Sequence, residues 1–368
     1  MEPLFSTLWI ALTAVYVVAV SRILIGLCRL QPGRSQILRS VSVIVAARNE
    51  EQHLRRCLNA LISQSYPPEL VEIVVVDDRS EDGTARIVRD AQTRCDRIKL
   101  VQVKALLPGL TGKKNALTQG IQQSHGEILC ITDADCRPGP DWIAGMLRHF
   151  EDGVGMVAGY SPFETRGGLV QRLLAFETMV TATMAAGSIG WGGGITCAAR
   201  DLSYRRALFD QVGGFSKIGH VRSGDDTLLL QQVKRETTWK VRYATEPETF
   251  VWTDPPPNLK TFVQQRVRHL STGRLFSKPL RLLGGGIYLF DLLLIITVPL
   301  ALIGHIGPTP LMAFGVKASV DFAAMWRSSG LFRGRGLLSL FPLMEVLYPP
   351  YIVLFGALGM WKNFKWKE

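Results

Sequence analysis

The sequence predicts an α/β protein with a mostly parallel sheet and with transmembrane helices at both ends of the chain. Runs rich in β-branched residues at 41–47, 71–76 and 128–132 alternate with segments of helical periodicity. Such alternation is typical of parallel strands joined by right-handed helical crossovers. Apolar stretches at 4–20 and 282–303 are long enough to cross a bilayer as helices.

The composition favours a membrane-surface protein over a nucleic-acid-binding protein. The 42 Lys and Arg residues exceed the 31 Asp and Glu residues and give a net charge of +11, while the mean hydropathy of +0.15 is high for a purely soluble chain. The basic residues cluster beside the hydrophobic ends, without a helix-turn-helix, zinc-finger or RNA-binding pattern. The six cysteines form no CxxC pair, which predicts reduced thiols in a cytosolic environment.

The N-terminal segment 1–28 is predicted to be a retained membrane anchor. Its apolar run precedes Arg22, Arg29, Arg34 and Arg39, and the positive-inside rule therefore places the following domain in the cytoplasm. A cleaved signal peptide is the alternative, but signal peptides carry their basic residues before the apolar run.

The C-terminal region 282–362 is predicted to hold further transmembrane helices. The stretches 282–303 and 337–361 are strongly apolar, whereas 310–326 is marginal and carries Lys317 and Asp321. These two residues lie four apart and could pair on one helical face. If all three segments cross, the rule that favours cytoplasmic basic residues conflicts with the C-terminal lysines, so the number of crossings stays open. These lysines are Lys362, Lys365 and Lys367.

Three acidic residues within the C-terminal segments allow two interpretations. Asp291, Asp321 and Glu345 could form a polar pathway, or they could be structural partners facing the interior of a helix bundle. The segment 169–189 is also open, because it fits an interfacial helix beside a lipid entrance and a buried core helix equally well.

The predicted cytoplasmic domain, 38–255, delivers acidic residues to the ends of its strands. Asp77 and Asp78 end the second strand, and Asp133 and Asp135 end the fourth. Ligands of parallel sheets bind at the carboxyl ends of the strands. Two carboxylates one residue apart offer the hard oxygen ligands that suit Mg²⁺ or Mn²⁺. A dinucleotide site is not predicted, because no GxGxxG follows the first strand.

Several short motifs follow one another between residues 41 and 273. They are Ala47-Arg48-Asn49-Glu50, Val76-Asp77-Asp78-Arg79-Ser80, Gly112-Lys113-Lys114-Asn115, Asp133-Ala134-Asp135, Gly213-Gly214-Phe215, Gly224-Asp225-Asp226 and Gln265-Arg266-Val267-Arg268. In this order they resemble the family 2 glycosyltransferases, inverting enzymes with a GT-A fold that include ceramide glucosyltransferase, hyaluronan synthase and cellulose synthase. The resemblance implies a GT-A nucleotide-diphospho-sugar transferase domain.

The resemblance also implies a donor site. Asp77 and Asp78 would contact the nucleoside, and Asp133 and Asp135 would hold Mg²⁺ or Mn²⁺ across the diphosphate. Lys113 would meet a phosphate or the uracil edge, with a plain surface lysine as the alternative. The same motifs make Asn49 and Glu50 substrate-binding candidates.

On the acceptor side, the resemblance makes Asp226 the catalytic base, with Asp225 as its support. The alternative is a helix cap, because the residues after Asp226 are predicted to be helical. Gln265 and Arg268 match an element whose Arg faces the diphosphate. His269 stands where the family has Trp, which weakens the prediction of a processive enzyme. Residues 256–281 also fit a basic interfacial helix, which is the alternative role of Arg268.

The expected activity is transfer of a sugar from a nucleoside-diphosphate sugar, with UDP as the expected carrier, to a membrane lipid. A processive polysaccharide synthase of the same family is the alternative, and a non-catalytic scaffold is a third possibility. The sugar, the lipid and the oligomeric state are left open by the sequence.

Overall fold

The computed structural model describes residues 2–165 and 167–361, so Lys362, Lys365 and Lys367 lie outside the described residues. The chain divides into two compact units. The sheet unit consists of Leu30–Thr178 and Gly192–Pro255. The helical unit consists of the described residues of Met1–Arg29, Met179–Trp191 and Pro256–Glu368. The predicted domain limits at 38–255 and 256–281 stay predictions.

The sheet unit contains the strands that the sequence predicted, together with shorter ones. They are β1 (Val41–Ala47), β2 (Val71–Asp77), β3 (Ile98–Gln102), β4 (Ile128–Asp133), β5 (Cys136–Pro138), β6 (Val154–Ala158), β7 (Leu202–Arg205), β8 (Lys240–Tyr243) and β9 (Val251–Thr253). Within the described residues, seven of these form one sheet in the order β3-β2-β1-β4-β7-β6-β8, and β5 pairs with β9.

The sheet is mostly parallel, which confirms the predicted fold class. β1 pairs in parallel with both β2 and β4, and β2 pairs in parallel with β3. β7 runs antiparallel to its neighbours β4 and β6. β1 has no exposed residue, as expected for a central strand covered by helices on both faces.

Short helices connect the strands of the sheet unit. They are α2 (Leu54–Ile62), α3 (Thr84–Gln92), α4 (Lys113–Gln122), α5 (Trp142–Leu147), α7 (Arg206–Gln211) and α8 (Thr227–Glu236). α2 buries Leu54, Leu58 and Leu61, which lie three or four residues apart and so share one face of the helix. This apolar face joins the core formed with β1 and β2, and each such buried side chain contributes about 2 kcal/mol of hydrophobic free energy.

The long helices lie wholly or partly in the helical unit. They are α1 (Glu2–Arg29), α6 (Leu169–Gly190), α9 (Leu259–Ser271), α10 (Lys278–Leu302), α11 (Thr309–Leu331) and α12 (Phe341–Trp361). Among the described residues, four stretches are long and apolar enough to cross a membrane, namely Leu4–Arg29, Leu169–Gly190, Lys278–Leu302 and Arg335–Gly359. α11 contains the stretch that the sequence marked as marginal and is not among these four.

α1 and the end of α6 approach each other through glycines. A Cβ at Gly26 would lie 1.9 Å from the carbonyl oxygen of Gly187, and a Cβ at Gly187 would lie 2.5 Å from the side chain of Ile23. Only glycine allows backbones this close, which is how small residues bring transmembrane helices together.

A buried ionic cluster joins four helices of the helical unit. The Lys317 ammonium on α11 donates to Asp321 at 2.8 Å and to Glu345 of α12 at 2.7 Å. The Tyr16 hydroxyl of α1 donates to Asp321 at 2.7 Å. Asp291 of α10 is 3% exposed and interacts electrostatically with Lys317. The predicted pairing of Lys317 with Asp321 is thus present. The cluster also includes two acidic residues of other helices, Glu345 of α12 and Asp291 of α10.

Replacing Lys317 with Met should destabilise the helical unit, because it leaves the Asp321 and Glu345 carboxylates without their cation in a buried site. Breaking a buried pair in this way costs about 3 to 5 kcal/mol. Thermal unfolding of the purified protein in detergent measures the loss, and Lys260→Met at an exposed position of α9 is the matched control. Equal unfolding temperatures for the two variants would show that the cluster contributes nothing.

Candidate active site

The acidic ends of β2 and β4 lie at the same edge of the sheet. Ala47 of β1 is in register with Asp77, and Ala46 of β1 is in register with Asp133. Since neighbouring strands are about 4.8 Å apart, the backbones of these two aspartates are separated by about 10 Å. Both aspartates therefore lie at the carboxyl edge of the sheet, and because they pair with successive residues of β1, their side chains leave the sheet toward opposite faces.

Asp77 and Asp78 are buried, at 4% and 5% exposure, and both carboxylates have partners. Asp77 accepts from the Ser80 backbone N–H at 3.0 Å and from the Gln102 amide at 3.3 Å. Asp78 pairs with the neighbouring Arg79 at 2.9 Å. These contacts fix the turn after β2, and a nucleoside-binding role stays a prediction.

Asn49 and Glu50 lie in the loop after β1, beside the turn after β2. Asn49 has a φ of +55°, and Arg79 has a φ of +59°, a left-handed conformation that is uncommon outside glycine. The Asn49 side chain accepts from the Glu81 N–H at 2.9 Å, and the Glu50 carboxylate contacts His53 at 3.1 Å. The two loops therefore support each other at the carboxyl edge of the sheet.

Asp133 and Asp135 form the candidate metal site. One potential ligand atom each from Asp133, Asp135 and Cys136 lie within 4.8 Å of one another. Burial and the two nearby carboxylates raise the pKa of the Cys136 thiol well above its usual value, so the thiol stays protonated and lies 3.4 Å from Asp135 Oδ1 as a hydrogen-bond donor. The carboxylate oxygens are then the available ligands, and this donor set fits Mg²⁺ or Mn²⁺.

Lys113 connects the metal-site carboxylates to the second acidic motif. Its ammonium donates to Asp133 and lies 3.3 Å from Asp225. Its side chain is 15% exposed and lies between two carboxylates, unlike a freely solvated surface lysine, and a donor-binding role stays a prediction. Burial opposes the positive charge, but Asp133 and Asp225 outweigh burial and raise the pKa of Lys113 above its usual value.

Lys114 holds the loop that leads into Asp225. It is 1% exposed, and its ammonium donates to the carbonyls of Val221 at 2.7 Å and Ser223 at 2.8 Å. Burial lowers the pKa of Lys114. Burial also acts on Asp225, but the two lysines dominate there and lower the pKa of that carboxyl.

Asp226 caps the N-terminus of α8, as the alternative interpretation predicted. One carboxylate oxygen accepts from the Thr227 N–H at 2.5 Å, and the other accepts from the Ala199 N–H at 3.0 Å. Burial and the adjacent Asp225 raise the pKa of Asp226. Because each carboxylate oxygen has two lone pairs, the cap leaves Asp226 able to accept a further proton.

The structure thus brings Lys113, Asp133 and Asp225 into contact. Asp135 and Asp226 lie in the same region, because they are close in sequence to Asp133 and Asp225. Asp77, Asp78, Asn49 and Glu50 lie along the same sheet edge. Gln265, Arg268 and His269 lie on α9 of the helical unit, and His269 is exposed. The roles of these three residues stay predictions.

Sequence reasoning gave no role to Lys114, Cys136 or Ala199. A signal existed for the first two, because Lys114 follows Lys113 at a helix start and Cys136 follows Asp135 directly. Ala199 acts through its backbone N–H, so no feature of its side chain could have indicated it. Trp142, which follows the candidate metal site in the chain, is fully buried in the core and donates to Asp201 at 2.9 Å.

Two protein-family models match the chain. Glycosyl transferase family 2 matches residues 42–212, and Glycosyl transferase family group 2 matches residues 128–359. Together they cover all the acidic motifs of the candidate site.

Curated relatives and solved structures agree with these matches. A beta-monoglucosyldiacylglycerol synthase of Trichormus variabilis is 28% identical over 48% of this chain and 38% of its own length. A poly-beta-1,6-N-acetyl-D-glucosamine synthase of Staphylococcus epidermidis is 24% identical over 74% of this chain and 63% of its own length. The chain spans about half the length of the curated relatives it matches.

A mannosyltransferase of Pyrobaculum calidifontis, solved with GDP-Man and Mn²⁺, has a similar fold, with a TM-score of 0.59 and 21% identity over 97% of this chain and 99% of that chain. The fold, the acidic motifs and a family model that spans well over half of the sequence lead to one conclusion: this chain is a family 2 glycosyltransferase.

Proposed function

We propose that the protein transfers a sugar from a UDP-sugar to a membrane lipid at the cytoplasmic face, with inversion at the anomeric carbon and with a divalent cation. The observation that carries this proposal is the Lys113 ammonium, which contacts both Asp133 and Asp225. It joins the expected donor side of the site to the expected acceptor side.

On the donor side, Asp133 and Asp135 are the residues that would hold the cation. A bound Mg²⁺ or Mn²⁺ supplies positive charge that stabilises the departing diphosphate. Lys113 adds a fixed ammonium in the same place, and preorganised charge of this kind lowers the barrier most where charge develops during the reaction.

On the acceptor side, Asp226 accepts the proton of the attacking hydroxyl. The adjacent Asp225 carboxylate forms an ion pair with the Lys113 ammonium. The raised pKa of Asp226 makes it a better proton acceptor than an ordinary carboxylate. As the oxygen attacks the anomeric carbon, the bond to the diphosphate breaks from the opposite face, so one displacement inverts the configuration.

The lipid acceptor is supported by the helical unit and by one relative. Three of its stretches are long and apolar enough to cross a bilayer and are less than one-third buried, and the Trichormus variabilis relative is named as a synthase of a glycolipid. The processive polysaccharide synthase remains the second candidate, because the Staphylococcus epidermidis relative matches 74% of the chain.

Asp226→Asn should lower kcat by about 10²- to 10⁴-fold, the usual contribution of a general base, and should leave the affinity for the nucleotide sugar unchanged. Transfer is measured with radiolabelled donor, and donor affinity by calorimetry. Asp210→Asn, at an exposed position of α7, is the matched control. In the wild type, kcat should fall as the pH drops through the raised pKa of Asp226, because the protonated carboxyl accepts no proton. Full activity in Asp226→Asn would assign the base elsewhere.

Asp135→Asn should weaken binding of Mn²⁺ in the presence of UDP by about 10- to 100-fold, since it removes a charged oxygen ligand. Calorimetric titration of Mn²⁺ measures the loss independently of turnover, and the exposed Asp152→Asn variant is the control. Chelation by EDTA should also stop transfer by the wild type, and added Mg²⁺ or Mn²⁺ should restore it. Transfer that persists in EDTA would contradict the metal-dependent mechanism.

The product should carry one sugar per lipid, with the anomeric configuration opposite to that of the donor. Membranes containing the protein are incubated with labelled UDP-glucose, UDP-N-acetylglucosamine or GDP-mannose, and the extracted products are separated by thin-layer chromatography and analysed by NMR. A ladder of products would favour the polysaccharide synthase, and a retained configuration would exclude the single displacement.

A further inference from the structure

The loop Gly192–Ala199 of the sheet unit is docked onto the first turns of α8. The Gln231 side chain donates to the Ile195 carbonyl at 3.2 Å, and the hydroxyls of Thr196 and Thr227 lie 3.0 Å apart. A Cβ at Gly194, which has a φ of +154°, would lie 3.2 Å from the Leu230 side chain. The loop therefore packs closely against the helix that Asp226 caps.

The docked loop supplies one of the two hydrogen bonds that anchor the Asp226 carboxylate. Oδ1 accepts from Thr227 of the same helix, whereas Oδ2 accepts from the Ala199 N–H at 3.0 Å. With both oxygens anchored, the carboxyl plane cannot rotate without breaking one bond. Charge-assisted hydrogen bonds of this kind are about twice as strong as neutral ones.

The groups facing Asp226 act on its charge in opposite directions. Burial and the Asp225 carboxylate disfavour the ionised form, whereas the Lys113 ammonium and the two backbone N–H groups favour it. Lys114 adds a second ammonium nearby, and the buried Cys197 thiol is neutral because its pKa is raised. The loop contributes the Ala199 N–H to the contacts that stabilise the charge on Asp226.

We propose that the loop Gly192–Ala199 is a positioning element of the active site, whose Ala199 N–H orients the Asp226 carboxylate toward the acceptor hydroxyl. This inference rests on the proposed function, in which Asp226 is the base. It assigns the geometry of the base to a segment that does not itself touch the reacting atoms.

Ala199→Pro removes this N–H with little change of backbone. Ala199 is the first residue of a 3₁₀ helix, where proline is well tolerated, and Ala198 has φ −108° and ψ 125°, which suits a residue before proline. Ala199→Ser keeps the N–H and is the matched control. The two variants differ in the donor itself, so a comparison between them isolates the hydrogen bond.

In Ala199→Pro, we expect kcat to fall about tenfold, the KM for donor to stay unchanged, and the acid limb of the pH profile to move upward by about one unit. The limb moves upward because loss of a donor to the charged form raises the pKa of a carboxyl. Ala199→Ser should retain the wild-type profile. Superimposable profiles for Ala199→Pro and Ala199→Ser would overturn the inference.

Infrared titration tests the same inference without turnover. The carbonyl band of protonated Asp226 is identified by its absence from Asp226→Asn, and its midpoint should lie higher in Ala199→Pro than in Ala199→Ser. If the wild type transfers no sugar, the proposed function fails, while this midpoint still decides whether the loop acts on Asp226.

If Ala199→Pro does not fold, Thr196→Val loosens the same loop and should move the midpoint in the same direction. An unmoved midpoint would count against the loop.

Discussion

The arrangement of the site depends on one ammonium group shared by two carboxylates. Lys113 begins α4, Asp133 ends β4, and Asp225 precedes α8. The contacts of the Lys113 ammonium therefore connect three separate parts of the sheet unit. Without a cation between them, Asp133 and Asp225 would repel each other in a poorly solvated site, where charges interact more strongly than in water. Lys113 thus allows the acidic motifs to converge.

Much of the fold could be predicted because its cause is local. The buried strands β1, β2 and β4 are continuous β-branched runs, and a parallel sheet must bring their carboxyl ends to one edge. That rule predicted the position of Asp77 and Asp133 without any structure. The family match confirms the enzyme class inferred from the order of the motifs.

What could not be predicted are contacts between segments distant in the sequence. The sequence placed Lys113 at a helix start, but its carboxylate partners lie 20 residues away and beyond. Lys114 has the same side chain and the adjacent position, yet the turn of the helix buries it against carbonyls. In the helical unit, Lys317 and Asp321 were predictable at a spacing of four, whereas Glu345 and Tyr16 join them from other helices.

The charge balance of the site gives a reason for a divalent cation. Asp133, Asp135, Asp225 and Asp226 offer four negative charges when ionised, and two ammonium groups lie among them, which leaves an excess of about two negative charges. A diphosphate alone would add to this excess and would be repelled, whereas a divalent cation cancels it. Of these four carboxylates, Asp226 caps α8, whereas Asp133 and Asp135 belong to the cluster whose ligand atoms lie within 4.8 Å of one another. We therefore expect the nucleotide to bind together with its cation rather than before it.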